Sequence, residues 1–433
     1  MAIKAQLGKL AILVGGGPAP GINGVISSVT IEAINQGYEV LGVRDGYKWL
    51  AQGDTRQVLP LTIHDVTPIF QRGGSMLGTA RTNPTKSAAD MQRVLRAFAQ
   101  LGVQALVSIG GDDTAFSASQ VYQQAAGAIR VAHVPKTIDN DLPLPGTTPT
   151  FGFETARQLG VQLVRNLTAD AKTTSRWYLV VSMGRTAGHL ALGIGKAAPA
   201  TLSLIPEEFR GREFSFDELC DIIIGAVIKR KAEGSAYGVV VLAEGMVEAI
   251  SEASLAEALN RGEAGRYGKV TRDEHGHLQL AEIEFGRLIK DMLGAKLGQL
   301  GLRTGWITSN LGYELRSADP VAFDAEYTRD LGYAAVKFIR SEAAARCGAI
   351  ISFVQGKIQP LPFDQVLDPK TKRMQVRRVN VGGEAYECAR RFMIRLERED
   401  FEDPAQLAAL AAAAQMTPEQ FRARFGYLAA GKG

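Results

Sequence analysis

Val-Ala-His-Val-Pro-Lys-Thr-Ile-Asp-Asn-Asp, residues 131–141, is an apolar run that stops and at once delivers a lysine, a threonine and two carboxylates. Val131 to Val134 reads as a buried strand. A strand that ends in acids and a cation is a poor core element and a suitable place for chemistry. One aspartate here would simply cap the next helix. The whole heptapeptide Pro135 to Asp141 points instead to a loop that carries the general base of a phosphoryl transfer.

The same grammar recurs on both sides of this stretch. Leu10 to Val14 runs into Gly15-Gly16-Gly17-Pro18-Ala19-Pro20-Gly21 and a helix from Ile22, and Tyr38 to Val43 follows as the next strand. Gln104 to Ile109 runs into Gly110-Gly111-Asp112-Asp113-Thr114 and a helix to about Ala126. Arg176 to Met183 delivers Gly184-Arg185 and a further helix, Thr201 to Ile205 leads to Pro206-Glu207-Glu208, and Tyr237 to Ala243 ends at Glu244-Gly245. Thr304 to Asn310 feeds Tyr313 and Arg316, and Gly348 to Val354 is a late strand. Helices are expected at Ala88 to Gln100, Phe153 to Asp170, Ser215 to Glu233, Ile283 to Leu300 and Asp324 to Arg340. Repetition of strand, polar glycine turn and helix is the signature of an α/β fold of mostly parallel sheets, with ligands gathered at the carboxyl ends of the strands.

The turns carry specific chemistry. A glycine turn before a helix either presents bare N–H groups to phosphate or serves backbone geometry alone. Gly73 to Arg81 is a second glycine-rich loop, in which Arg81 is either an anion clamp or a surface arginine. Gly110 and Gly111 let backbone approach a ligand closely, and the acid beyond them is placed to hold a Mg²⁺ that bridges phosphates. Capping of the following helix is the other use of Asp112, Asp113 and Thr114.

With 433 residues the chain exceeds one ordinary core. We expect a first α/β lobe over 1–150, a second over 151–360 with a charged excursion at 246–277, and a helical extension over 361–433 that packs back on the first lobe. A hydrophobic content of 46%, a charged content of 22% and a net charge of +4 are ordinary for a globular protein and exclude a nucleic-acid-binding composition. The three scattered cysteines argue for a reducing compartment, and no Cys or His stands at zinc-ligand spacing. No apolar run approaches the roughly 20 residues that span a bilayer. A cytoplasmic protein without membrane or nucleic-acid partners is expected.

Five motifs in register, at 15–21, 110–114, 135–141, 183–185 and 206–208, resemble the phosphofructokinase family over about Leu10 to Val354. The resemblance implies two Rossmann-like α/β lobes with the active site in the cleft between them, and transfer of a phosphoryl group to the 1-hydroxyl of fructose 6-phosphate. Asp139 matches the catalytic base, Thr137 and Asp141 match residues around the reacting hydroxyl, and Asp112 matches the Mg²⁺-linked acid. Gly15, Gly16, Arg81 and Gly111 correspond to the donor side. Met183, Gly184 and Arg185 match the sugar-phosphate loop, with Arg185 also resembling a transition-state clamp. Glu244 matches an acid on the sugar hydroxyls, and Arg316 matches an arginine on the 6-phosphate. Tyr313 stands where many relatives have a histidine. Arg176 matches an arginine lent to a neighbouring subunit, which implies a homo-oligomer with shared sites.

Asp113 and Lys136 bear on the donor. Both correspond to glycines in ATP-using relatives and are charged here, as in the pyrophosphate-dependent branch. A carboxylate at 113 repels a nucleotide's α-phosphate, and Lys136 supplies charge for the leaving phosphate of pyrophosphate. A salt bridge between the two would leave nucleotide use intact. The alternatives are an ATP-dependent phosphofructokinase, an NAD or lipid kinase sharing Gly-Gly-Asp, and a non-catalytic regulatory subunit of the same fold.

Overall fold

The computed structural model describes residues 7–259, 266–268, 283–366, 368 and 374–430. In chain order its strands are β1 (Gly8–Val14), β2 (Tyr38–Val43), β3 (Val58–Leu61), β4 (Val103–Gly110), β5 (Arg130–Pro135), β6 (Trp177–Ser182), β7 (Leu202–Leu204), β8 (Gly238–Ala243), β9 (Trp306–Leu311), β10 (Ala349–Val354) and β11 (Lys357–Pro362). They form a seven-stranded sheet of order β11-β10-β5-β4-β1-β2-β3 and a four-stranded sheet of order β7-β8-β6-β9. The smaller sheet is parallel throughout. In the larger one only the edge strands β3 and β11 are antiparallel to their neighbours.

The central strands are mainly apolar because both of their faces are covered, with Ser108 in β4 and His133 in β5 buried as polar exceptions. Leu10, Ile12 and Val14 of β1 join Val107, Ile109, Ala132 and Val134 in one core layer with helices Ile22–Gln36 and Ala322–Arg340. Ala11 and Leu13 join Leu106, Val131 and Ile350 in a second layer against helices Ala88–Leu101 and Asp112–Gln124. The period-two alternation of a strand divides each run between the two layers. In the smaller sheet the Trp177 and Trp306 rings lie 5.5 Å apart at the start of β6 and β9. A Cβ at Gly238 would collide with the Trp177 ring, so the neighbouring strand needs glycine there.

The expected domain limits are corrected. The first unit comprises 1–156 and 313–377, and the second comprises 157–312 and 378–433. The chain returns to the first unit after β9 because helix Ala322–Arg340 packs on helix Ile22–Gln36 and β10 pairs with β5. The C-terminal extension from 378 belongs to the second unit, not the first. Lys229 bridges Asp400 at 2.7 Å, and Arg424 bonds the buried Asp221 twice at 2.8 Å. Leu396 fills the space that a side chain at Gly225 would occupy.

Within the expected irregular excursion, Met246–Ala249 and Glu252–Leu259 are helical. Residues 260–265 and 269–277 of it lie outside the described residues.

Candidate active site

In the first unit, β1, β4 and β5 are adjacent and parallel, so their carboxyl ends bring three turns together. The first turn is Gly15–Gly21. Gly15 N–H donates to Ile109 O at 2.9 Å, and Gly16, at φ +81°, donates to Ala80 O at 3.0 Å. This second bond draws in the 73–81 loop, whose Arg81 is exposed. The Thr114 side chain packs where Cβ atoms at Gly15 and Gly110 would stand, which explains both glycines. Helices Ile22–Gln36 and Asp112–Gln124 start at Gly21 and Gly111 with no side-chain cap, leaving their N-terminal donors open to an anion.

Lys136 follows β5. It is 4% exposed, and its ammonium donates to Gly17 O. Burial pulls it down to about 8, and Arg316 adds to that, against Asp139, Asp112 and Asp141. Gly110 O accepts from Lys136 N–H at 2.8 Å, and His133 Nε2 lies 3.0 Å from the same oxygen. His133 is fully enclosed in β5, and burial pushes it down to about 3. A neutral imidazole with Nε2–H donating to Gly110 O follows. Sequence reading passed over His133 because it sits inside an apolar run.

The loop after Lys136 is tightly bonded. Asp139 N–H donates to Thr137 Oγ1 at 3.0 Å, and Asn140 adopts a left-handed φ of +56°. The Thr137 hydroxyl also hydrogen-bonds the Asp141 carboxyl. Asp141 keeps part of its surface open, yet the protein crowded around it desolvates its carboxyl. That burial, then the charges of Asp139 and Asp112, raise it to about 7. Asp112 and Asp113 are both exposed in the first turn of helix Asp112–Gln124. The structure thus assembles Gly15, Gly16, Gly111, Asp112, Lys136, Thr137, Asp139 and Asp141 in one unit.

Tyr313 and Arg316 also belong to this unit. The Arg316 guanidinium would touch a Cβ at Gly17 at 3.2 Å and lies 5.1 Å from the centroid of the exposed Tyr313 ring. It therefore borders the glycine turn and Lys136. The sequence pattern alone assigns it to the sugar 6-phosphate.

In the second unit, β6 and β8 are adjacent and end in Met183-Gly184-Arg185 and Glu244-Gly245. Gly184 N–H donates to Glu244 Oε1 at 3.2 Å, and Gly245 N–H donates to Gly184 O at 3.2 Å. Met183 N–H donates to Leu311 O at 2.8 Å. Gly184 has φ +142°, and a Cβ there would meet Ala187 O at 2.9 Å. Arg185 is exposed. Glu207 of the Pro-Glu-Glu motif is buried and accepts Gly188 N–H at 2.9 Å and Val379 N–H at 3.0 Å. Glu208 pairs with the buried Arg395 at 2.6 Å. Arg176 precedes β6, so the strand of about 20 Å separates it from the Met183 to Arg185 turn of its own chain.

Comparison with known proteins identifies the family of the chain. A family model described as Phosphofructokinase matches residues 9–339. A pyrophosphate–fructose 6-phosphate 1-phosphotransferase of Thermotoga maritima is 50% identical over 96% of this chain and 98% of its own length. One of Naegleria fowleri is 48% identical over 97% and 95%. The crystal structure of a pyrophosphate-dependent phosphofructokinase from Marinobacter aquaeolei superposes with a TM-score of 0.64 over 90% of this chain and 92% of that one, at 18% identity. The five motifs, the strand ends that carry them and these near-full-length likenesses lead to one conclusion: the chain belongs to the phosphofructokinase family.

Proposed function

We propose that the chain transfers a phosphoryl group from pyrophosphate to the 1-hydroxyl of fructose 6-phosphate, giving fructose 1,6-bisphosphate and phosphate. The observation that carries the choice of donor is Lys136, buried with its ammonium on the Gly15–Gly17 turn. A small dianionic leaving group with no nucleoside to anchor it needs a fixed cation, and the close relatives bear the corresponding name.

In this reading Asp139 accepts the proton of the 1-hydroxyl as its oxygen bonds to phosphorus. The bridging P–O bond breaks, and phosphate leaves against the charge of Lys136. Thr137 and Asp141 orient the reacting groups, Arg81 steadies the donor, and Asp113 disfavours a nucleotide. Met183, Gly184, Arg185 and Glu244 bind the sugar phosphate, with Arg185 offsetting charge as the phosphoryl moves and Tyr313 and Arg316 completing the anion contacts. Phosphoryl transfer is mostly positioning and charge stabilisation, which these groups supply.

Mg²⁺ fits this donor set. The ion takes one or two carboxylates and keeps substrate phosphates and water, so Asp112 beside Asp139 and Asp141 suffices. A cage of three or more His, Cys, Asp or Glu ligands is absent among the described residues, as such a site requires none. When bound, the ion neutralises charge on the phosphate oxygens.

Because pyrophosphate hydrolysis releases less free energy than that of ATP in the cell, the reaction runs in both directions between glycolysis and gluconeogenesis. The position of Arg176, remote from its own chain's 183–185 turn, supports a homo-oligomer in which it serves a neighbour's site. A cytoplasmic location is the reading drawn from the three scattered cysteines, which argue for a reducing compartment; no helix of the described residues is long and apolar enough to cross a membrane.

A coupled spectrophotometric assay with pyrophosphate and with ATP tests the reading. Turnover with pyrophosphate and little with ATP is expected, and Asp139→Ser should lower turnover by about 10²–10⁴-fold while sparing sugar-phosphate binding. Turnover with ATP alone would sink the choice of donor.

A further inference from the structure

The catalytic loop is held from a part of the chain that lies beyond the family-matched span, which ends at residue 339. Asn140, between Asp139 and Asp141, adopts the left-handed conformation, which asparagine tolerates better than other residues with a Cβ but which still costs it free energy relative to ordinary backbone. Such a residue persists only where its surroundings over-determine it. Thr150 supplies part of that constraint. Its N–H donates to Asn140 Oδ1 at 3.0 Å, and its hydroxyl donates to Thr137 O at 2.7 Å.

Arg377 supplies the rest. Its backbone N–H donates to Asp141 O at 2.8 Å. Its Nε donates to Asn140 O at 3.1 Å, one terminal nitrogen to Thr148 O at 2.6 Å, and the other to Asn140 Oδ1. One side chain therefore ties the strained residue at both its carbonyl and its amide to the 148–150 segment. The Asp141 charge acts on the same guanidinium, which burial holds below its ordinary value. None of these bonds reaches a catalytic carboxylate oxygen.

We propose that Arg377 is a positioning residue for the reaction: it locks Asn140 and thereby sets Asp139 and Asp141 in their reacting orientation. The proposal rests on the phosphotransferase reading above. Only a planar fork reaches the two Asn140 oxygens and Thr148 O together, so lysine cannot replace it. Misplacing a reacting group by about 1 Å costs on the order of 10²-fold in rate.

The test uses the full chain with pyrophosphate, fructose 6-phosphate and Mg²⁺. Wild-type protein runs in the same assay, so its inactivity would count against the functional reading and not against Arg377. Arg377→Ala should lose about 100-fold in kcat, with KM for both substrates within about threefold. Free guanidinium should restore at least about tenfold of the loss, and urea at the same concentration should not. Arg377→Lys keeps the backbone bond and the charge, so it covers the case in which the alanine variant folds poorly. It should lose at least about tenfold in kcat with an unchanged thermal midpoint. Variants within about threefold of wild type in kcat would overturn the proposal. So would a loss that guanidinium fails to recover in a folded Arg377→Ala, or one expressed wholly in KM.

Discussion

Replacing Lys136 with methionine separates the two consequences of burying its charge. Methionine matches the length of the stem and its volume closely, so the packing around Gly17 survives. In the folded protein burial moves this amine from 10.5 to about 8, which corresponds to about 3 kcal/mol against its charged form. That shift is a net one, in which the carboxylates of Asp139, Asp112 and Asp141 already offset part of the burial. The variant should therefore unfold at the same temperature as wild type or slightly above it at pH 7. Between about 8 and 10.5 the unfolded chain holds a proton that the folded one has lost, so wild-type stability rises across that window. The methionine variant should lack this rise. Function should move the other way. A cation and a phosphate charge at about 4 Å and an effective dielectric near 20 attract by roughly 4 kcal/mol, or about a thousandfold. The coupled assay should show kcat/KM for pyrophosphate reduced by about that factor, with KM for fructose 6-phosphate little changed. A variant within about tenfold of wild type in kcat/KM would refute the assignment of Lys136 to the donor.

Three further outcomes follow from the same geometry. Activity in the free enzyme should follow a narrow bell in pH, rising near 7 as Asp141 loses its proton and falling near 8 as Lys136 loses its own. Asp141→Asn should remove the acid limb, and a profile flat from about pH 6 to 9 would contradict the cluster. Asp221 is buried against Arg424, Tyr427 and Lys296. Asp221→Ala leaves Arg424 without this carboxylate and Lys296 with Asp217 alone, and should cost about 3 kcal/mol in urea denaturation, with faster tryptic cleavage of the 378–430 segment; an unchanged midpoint would show that Asp221 does not hold the tail and that its other ion pairs and apolar contacts suffice. Asp113→Gly should change kcat/KM for pyrophosphate by less than about tenfold in the coupled assay, far below the effect at Lys136.

The central architecture was legible because the parallel strands are covered on both faces. Leu10 to Val14 and Val131 to Val134 have no polar position facing solvent, so their runs stand out and the glycine turns mark where they end. Strands β3 and β11 were not legible, since Pro60 and Pro360 lie inside them. Proline is tolerated there because each forms an edge of the sheet. The domain limits differ from the expected ones because proximity in sequence is a poor guide once the chain crosses between units three times, after Ala156, Gly312 and Arg377. The catalytic loop was visible in its own composition, whereas its restraint was not. Arg377 acts on Asn140 and Thr148 from 237 and 229 residues away, and nothing local distinguishes it from Arg378 beside it.

On the proposed reading of the donor site, its two charges would do unequal work. From sequence alone Asp113 and Lys136 are an acid and a base of equal standing, each facing phosphate at the end of a strand. In the structure Asp113 is exposed and Lys136 is enclosed. Repulsion of an α-phosphate at about 4 Å shrinks from roughly 4 kcal/mol at an effective dielectric of 20 to about 1 kcal/mol in water, and salt screens it further. The attraction exerted by Lys136 is not discounted in this way. Enclosure also holds the ammonium on Gly17 O before any ligand arrives, so little ordering remains to be done when phosphate binds. The preference for pyrophosphate should then rest mainly on stabilising its leaving phosphate and only secondarily on repelling a nucleotide. An enclosed cation is costly to fold around, and the carboxylates of Asp139, Asp112 and Asp141 offset part of that cost. On the proposed reading, the same acids that perform or support the transfer would also help to keep the donor's cation charged at neutral pH, tying donor choice and catalysis to one cluster.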